Sequence, residues 1–138
     1  MPELNFTPEQ RAAIDTRGST VLVSAAAGSG KTRVLTERLM AYLTDAENPV
    51  DIDRFLVITY TRAAAAELRS RILDGIYARI ASDPENRRLR RQVALCARAE
   101  IGTIHSFCAD FLRANCAALA LAPDFQVADT ERCAALRA

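Results

Sequence analysis

Lysine is almost missing from this sequence. Of its 18 basic residues, 17 are arginine and one is lysine, Lys31. Histidine is as scarce, with His105 alone. The four cysteines, Cys96, Cys108, Cys116 and Cys133, show no C-x-x-C spacing, and a single histidine cannot complete a zinc framework with them. Reduced thiols in a cytoplasmic protein are therefore expected. No apolar run is long enough to span a bilayer, and Met1-Pro-Glu-Leu-Asn-Phe6 lacks the basic-then-apolar layout of a secretory signal. Low-complexity tracts and inner domain boundaries are also missing. The net charge of +1 argues neither for nor against a polyanionic partner. With 138 residues, half of them hydrophobic, the chain suffices for one domain with a real core.

The arginine bias reflects genome composition, so the one lysine is informative. A compact ammonium suits a site among phosphates in a way that a planar guanidinium does not. Lys31 ends the stretch Ser24-Ala-Ala-Ala-Gly-Ser-Gly-Lys31-Thr32, which follows the β-branched run Val21-Leu22-Val23. Helical periodicity follows in Val34, Leu35, Arg38, Leu39 and Tyr42. Strand, glycine-rich turn and Lys-Thr at a helix start form the context of a phosphate loop. Gly28 and Gly30 let the backbone approach phosphates and turn its N–H groups inward. The helix N-terminus adds unpaired donors and positive potential. In such a loop Lys31 reaches the β- and γ-phosphates of ATP, and the Thr32 hydroxyl ligates Mg²⁺. Ala25 stands where the strict pattern has glycine, which is tolerable at negative φ.

Thr7, Pro8 and Gln10 predict a capped first helix, with Thr7 and Gln10 forming a capping box and Gly18 ending the unit. Gln10 can alternatively read adenine, since its amide offers one donor and one acceptor. Asp45 to Asp53 is a polar loop. Phe55-Leu-Val-Ile-Thr-Tyr-Thr61 is an apolar run of the kind a parallel strand buried on both faces requires. A long helix begins at Ala63, with Leu68, Ile72, Ile76 and Ile80 as its buried stripe and Arg69, Arg71 and Arg79 outside it. Ser82-Asp-Pro-Glu breaks it. Another helix opens at Arg87, with Leu89, Val93 and Ala97 on one face. Its Arg87–Arg91 cluster is read as a solvated face, with a nucleic-acid backbone contact as the alternative. A third strand, Glu100 to Ile104, feeds a helix carrying Phe107, Phe111 and Leu112. The tail combines an alanine-rich helix end, a Pro123-Asp124 turn and a short helix after Asp129.

Strand, Ser/Thr-bearing turn and helix thus recur three times. Three parallel strands would place all three turns along one sheet edge, where ligands bind in open α/β sheets. Thr59-Tyr60-Thr61-Arg62 brings a ring, two hydroxyls and a guanidinium to that edge. Thr103, His105 and Ser106 repeat the arrangement before Phe107. Exposed rings stack on unpaired bases, and hydroxyls with arginine hold phosphates. A helix cap at Thr61 beside a partly buried Tyr60, and a structural role for His105, are the alternative account.

These residues carry a resemblance. Phe6-Thr-Pro-Glu-Gln10 resembles the adenine-reading Q motif of superfamily 1 DNA helicases, and Ala25 to Arg33 resembles their motif I, whose first position is commonly alanine. Thr59 to Leu68 is similar to motif Ia, and Gly102 to Phe107 to motif Ib. Order and spacing fit the UvrD/Rep/PcrA group. Within it, Ser24–Thr32 and Thr103–Cys108 most resemble the AddA-type helicase–nucleases of bacterial double-strand-break repair. The resemblance implies a RecA-like P-loop NTPase fold, a three-layer α/β/α arrangement on a parallel sheet, here incomplete. It implies ATP and Mg²⁺ as cofactors, and a bacterial cytoplasmic location. The implied partners are DNA and a second polypeptide of the AddB type. Gln10 and Arg33 would contact adenine, and Ala25, Ala26, Ala27, Gly28, Ser29, Gly30, Lys31 and Thr32 would line the phosphates. Thr59, Tyr60, Thr61, Arg62, Thr103, His105 and Ser106 would lie along the DNA strand. Arg62 departs from the usual asparagine.

An Asp-Glu pair after an apolar strand, a second RecA-like domain with arginine fingers, and nuclease residues have no counterpart in the sequence. The chain is therefore expected to be the N-terminal portion of a first RecA-like domain, to bind nucleotide and not to hydrolyse it. Its tail from residue 117 to 138 is expected to be loose. A small P-loop kinase and a non-catalytic nucleotide-binding module are the competing readings.

Overall fold

In a computed structural model, the described residues are 5–122, 124–128 and 130–137, with the side chains of 130, 131, 136 and 137 left aside. Residues Met1 to Leu4 of the expected signal-free start, Pro123 of the expected turn, Asp129 and Ala138 lie outside them. The elements run α1 (Pro8–Asp15), α2 (Lys31–Leu43), a 3-10 turn (Ile52–Arg54), β1 (Leu56–Thr59), α3 (Arg62–Ser82), α4 (Arg87–Cys96), β2 (Glu100–Thr103), α5 (Ile104–Ala114) and α6 (Thr130–Arg137). Among the described residues no helix is long and apolar enough to cross a membrane.

Local chemistry sets most boundaries. Thr7 caps α1 by accepting from the Gln10 N–H, and the Gln10 side chain accepts from the Thr7 N–H in return, completing the box. Thr61 caps α3 by accepting from Ala64, and Asn86 caps α4 by accepting from Leu89. Thr103 and Ser106 form a second capping box at α5. The expected break at Ser82 does end α3.

Among the described residues two strands pair, not three. β1 and β2 are parallel, with Leu56 opposite Glu100 and Thr59 opposite Thr103. Val21-Leu22-Val23, expected as the first strand, has no ladder partner among the described residues. Val21 packs on a small cluster of Ala13, Ile14 and Val34, while Leu22 is 92% exposed. Strand character needs a neighbour, and β1 has its paired edge on β2 instead. The expectation that the second strand is buried on both faces is likewise corrected: Val57 is buried, but Leu56 and Ile58 on the other face are exposed.

The main core lies between α2, α3, α4 and the inner face of the sheet. Leu39, Met40 and Leu43 meet Leu68, Ile72 and Ile76, closed by Ile52, Val57, Leu95, Cys96 and Ile101. The predicted stripe of α3 is therefore the core face, with Ile80 packed at its margin. Arg71 is outside as expected, paired with Glu67. Arg69 and Arg79 are not simply outside. Arg69 donates to the carbonyls of Cys96, Ala99 and Ile101, and Arg79 pairs with Glu37 at 2.8 Å. Both are half-buried, as suits long side chains whose guanidinium heads reach polar partners. In α4 the buried face is Leu89, Gln92, Leu95 and Cys96, and Ala97 is exposed at the cap. The Arg87–Arg91 cluster is split: Arg88 and Arg91 pair with Asp51, whereas Arg87 and Arg90 are exposed.

Candidate nucleotide and strand sites

The glycine-rich loop runs from Ser24 to Gly30 and delivers α2. Gly28 and Gly30 hold φ of 79° and 83°, a region that a Cβ disfavours, and Gly30 is the N-cap of α2. Among the described residues Ala120 is the one non-glycine with positive φ, so the Ala25 methyl sits on ordinary backbone. The first-turn N–H groups of α2 have no intrahelical acceptor and present a row of donors.

Lys31 is turned back across this loop. Its Nζ donates to the carbonyl oxygens of Ala25 and Ala26, each at 2.7 Å. Gln10 Nε2 donates to the Ser29 carbonyl at 3.1 Å, so the capping glutamine also grips the loop. The structure therefore shows Gln10 as the cap of α1 and as a tether of the loop. A cavity of about 220 Å³ lies between α1 and the loop, lined among others by Gln10, Val23, Ala25, Ser29 and Lys31. Arg33 stands over the Phe6 ring at 4.6 Å, with Arg11 also over it at 5.3 Å. Two cations on one ring form a polarised platform beside the loop. Phe6 carries this role unassigned by sequence reasoning, although it stands inside the quoted motif.

Glu9, next to Gln10 in the cap, has its carboxyl held below the usual range by a backbone N–H and the Thr7 side chain. Thr32 is exposed, and the Thr36 hydroxyl donates to its carbonyl. Among the described residues no group of three His, Cys, Asp or Glu could hold a metal. A single hydroxyl is nevertheless a fitting ligand for Mg²⁺ that arrives on phosphates, because this ion keeps several waters and few protein ligands.

The second site lies beyond the carboxyl ends of β1 and β2. A groove of about 720 Å³ is lined there by Tyr60, Arg62, Thr103, His105 and Ser106. The structure thus brings both predicted clusters to one place. Their hydroxyls, however, are engaged in the backbone. Thr59 donates to the Thr61 carbonyl at 3.0 Å, Thr61 and Thr103 cap helices, and Ser106 donates to the Thr103 carbonyl at 2.8 Å. The open groups are the fully exposed Tyr60 ring, Arg62 and His105. The opposite wall, missed in the sequence, is formed by Asp110, Arg113, Phe125, Gln126 and Val127. Its α5 part was legible: Asp110 and Arg113 share one face of α5 with Ser106 and Ala109 at three- to four-residue spacing.

Comparison with known proteins identifies the family. The family model described as UvrD/REP helicase N-terminal domain matches residues 6–137. A Clostridium acetobutylicum protein, named as a subunit of an ATP-dependent helicase/nuclease, is 53% identical over 91% of this chain. Proteins of the same name from a Thermoanaerobacter species and from Clostridium beijerinckii are 53% and 49% identical over 90% and 94% of the chain. In each case the match covers 10% of the relative, so the chain spans about a tenth of their length.

Proposed function

The chain belongs to the UvrD/REP helicase N-terminal domain family, and on that premise we propose that it is the ATP-binding segment of an AddA-type DNA helicase–nuclease. In this reading it is the N-terminal part of the first RecA-like domain, in three α/β/α layers once its sheet is complete. The whole protein moves along single-stranded DNA in the bacterial cytoplasm during double-strand-break repair and recombination, together with an AddB-type partner.

The tie between Gln10 and Ser29 carries the reading. It makes an amide that can match the adenine edge part of the phosphate loop, which a generic phosphate-binding turn does not need. Gln10 and Arg33 hold the base, and the backbone from Ala25 to Gly30 surrounds the phosphates. Lys31 swings from the Ala25 and Ala26 carbonyls to the β- and γ-phosphates. The Thr32 hydroxyl would hold a Mg²⁺ ion arriving with the nucleotide, which would supply neutralisation of phosphate charge. Tyr60 supplies a stacking face, with Arg62 and His105 as polar contacts along a strand. Hydrolysis depends on positioning groups beyond these residues, so the chain alone binds nucleotide without turnover.

The test is ATP turnover of the whole protein with and without single-stranded DNA, with Lys31→Ala as blank. Stimulation by DNA that disappears in the variant supports a strand-tracking motor. Turnover indifferent to DNA overturns it and favours a kinase acting on a small acceptor. Turnover by residues 1–138 alone, lost in Lys31→Ala, overturns the claim that this segment is inactive.

A further inference from the structure

We propose that Arg113 is a further phosphate contact for the single strand, carrying its path past His105 to the wall formed by Phe125, Gln126 and Val127. The inference rests on reading the groove as a strand site. Arg113 shares the groove-lining face of α5 with Ser106, Ala109 and Asp110. Its guanidinium lies 5.5 Å from the Phe125 ring centroid, and its Nη1 donates to Asp110 Oδ1 at 2.9 Å. Its remaining N–H groups have no partner among the described residues.

Stability gives little reason for this arrangement. The Arg113 and Asp110 side chains are 49% and 59% exposed, and such a pair is worth at most about 1 kcal/mol. What the pair does achieve is orientation. One carboxylate fixes one end of the fork and one ring limits its swing, so free donors are held on the groove side. A planar guanidinium with spare parallel donors matches a phosphate. Tyr60 stacking at one end and Arg113 charge at the other follow the usual composition of single-strand grooves.

Binding of labelled oligothymidylate to the chain, followed by fluorescence anisotropy across a salt series, tests the proposal. Arg113→Ala is expected to weaken binding about tenfold and to reduce the slope of log K against log salt by about 0.7, the loss of one phosphate contact on a single strand. Arg113→Lys should restore the slope. A thermal melt of each variant separates this from a clasp holding 125–127: lower melting and lower affinity with an unchanged slope overturn the proposal. Unchanged affinity and slope in Arg113→Ala, while Tyr60→Ala loses binding, overturn it and leave the strand reading standing. No binding by the unsubstituted chain overturns the strand reading and this inference together.

Discussion

Gln10 Nε2 and the Ser29 carbonyl oxygen lie 3.1 Å apart across 19 residues of sequence, while Gln10 Oε1 accepts from the Thr7 N–H at 3.0 Å. One amide therefore joins the start of the first helix to the phosphate loop. Gln10→Glu separates its two tasks. The carboxylate still accepts from Thr7 but faces the Ser29 carbonyl without a proton to give. Near-normal melting with clearly weakened ATP binding is expected. Gln10→Ala loses both and should also lower stability by about 1 kcal/mol, the usual scale of a lost cap. Equal ATP affinity in all three forms would contradict the coupling.

Gly102 faces Ser106 with almost no room. A Cβ built there meets the Ser106 Oγ at 2.7 Å. That hydroxyl also accepts from the Thr103 N–H at 2.9 Å, so it cannot leave without opening the capping box. Gly102→Ala is expected to destabilise the chain by about 1–2 kcal/mol, and Gly102→Ala with Ser106→Ala by less than the sum. Additive losses in chemical denaturation would show that the two groups do not interfere.

Gln92 is fully buried and ties α4 to the 3-10 turn through two bonds. It accepts from the Ile52 N–H at 2.9 Å and donates to Asp51 at 2.7 Å. Gln92→Leu keeps the volume but leaves the Ile52 donor without an acceptor in the core. A loss of about 1–3 kcal/mol is expected, read as a lower denaturant midpoint. A midpoint within error of the unsubstituted protein would refute it.

The cysteines should differ in reactivity. Burial pushes the Cys96 thiol up, with Arg69 opposing it, whereas Cys108 is exposed. A raised pKa stabilises the folded state below the unfolded thiol pKa and loses that contribution as pH rises through the folded value. An alkylating reagent at mildly alkaline pH is expected to modify Cys108 in the native protein and Cys96 only on unfolding. Equal labelling rates would indicate that the α3–α4 core opens readily.

Local signals proved legible, and the ones that depend on distant partners did not. Thr7 and Thr61 announce their helices because a cap is decided within four residues. The stripe Leu68, Ile72, Ile76 states its own periodicity. Gly28, Gly30, Lys31 and Thr32 define the loop by spacing. Val21-Leu22-Val23 has strand composition, yet pairing is a property of two segments, and no described segment offers it an edge. Arg69 sits off the apolar stripe, and only the fold shows three carbonyls within its reach. The same holds at the groove, where Phe125 lines the same cavity as Tyr60 although no periodicity links them.

Lys31 has a further consequence. Its ammonium is engaged by carbonyl oxygens of the loop, so on the proposed function nucleotide would enter as a competitor for a charge already engaged. The affinity of the loop for phosphate is then the difference between two sets of contacts to one group. On the proposed function, any change that draws the Ala25 and Ala26 carbonyls closer to that ammonium is expected to weaken ATP binding by strengthening the contacts ATP must replace.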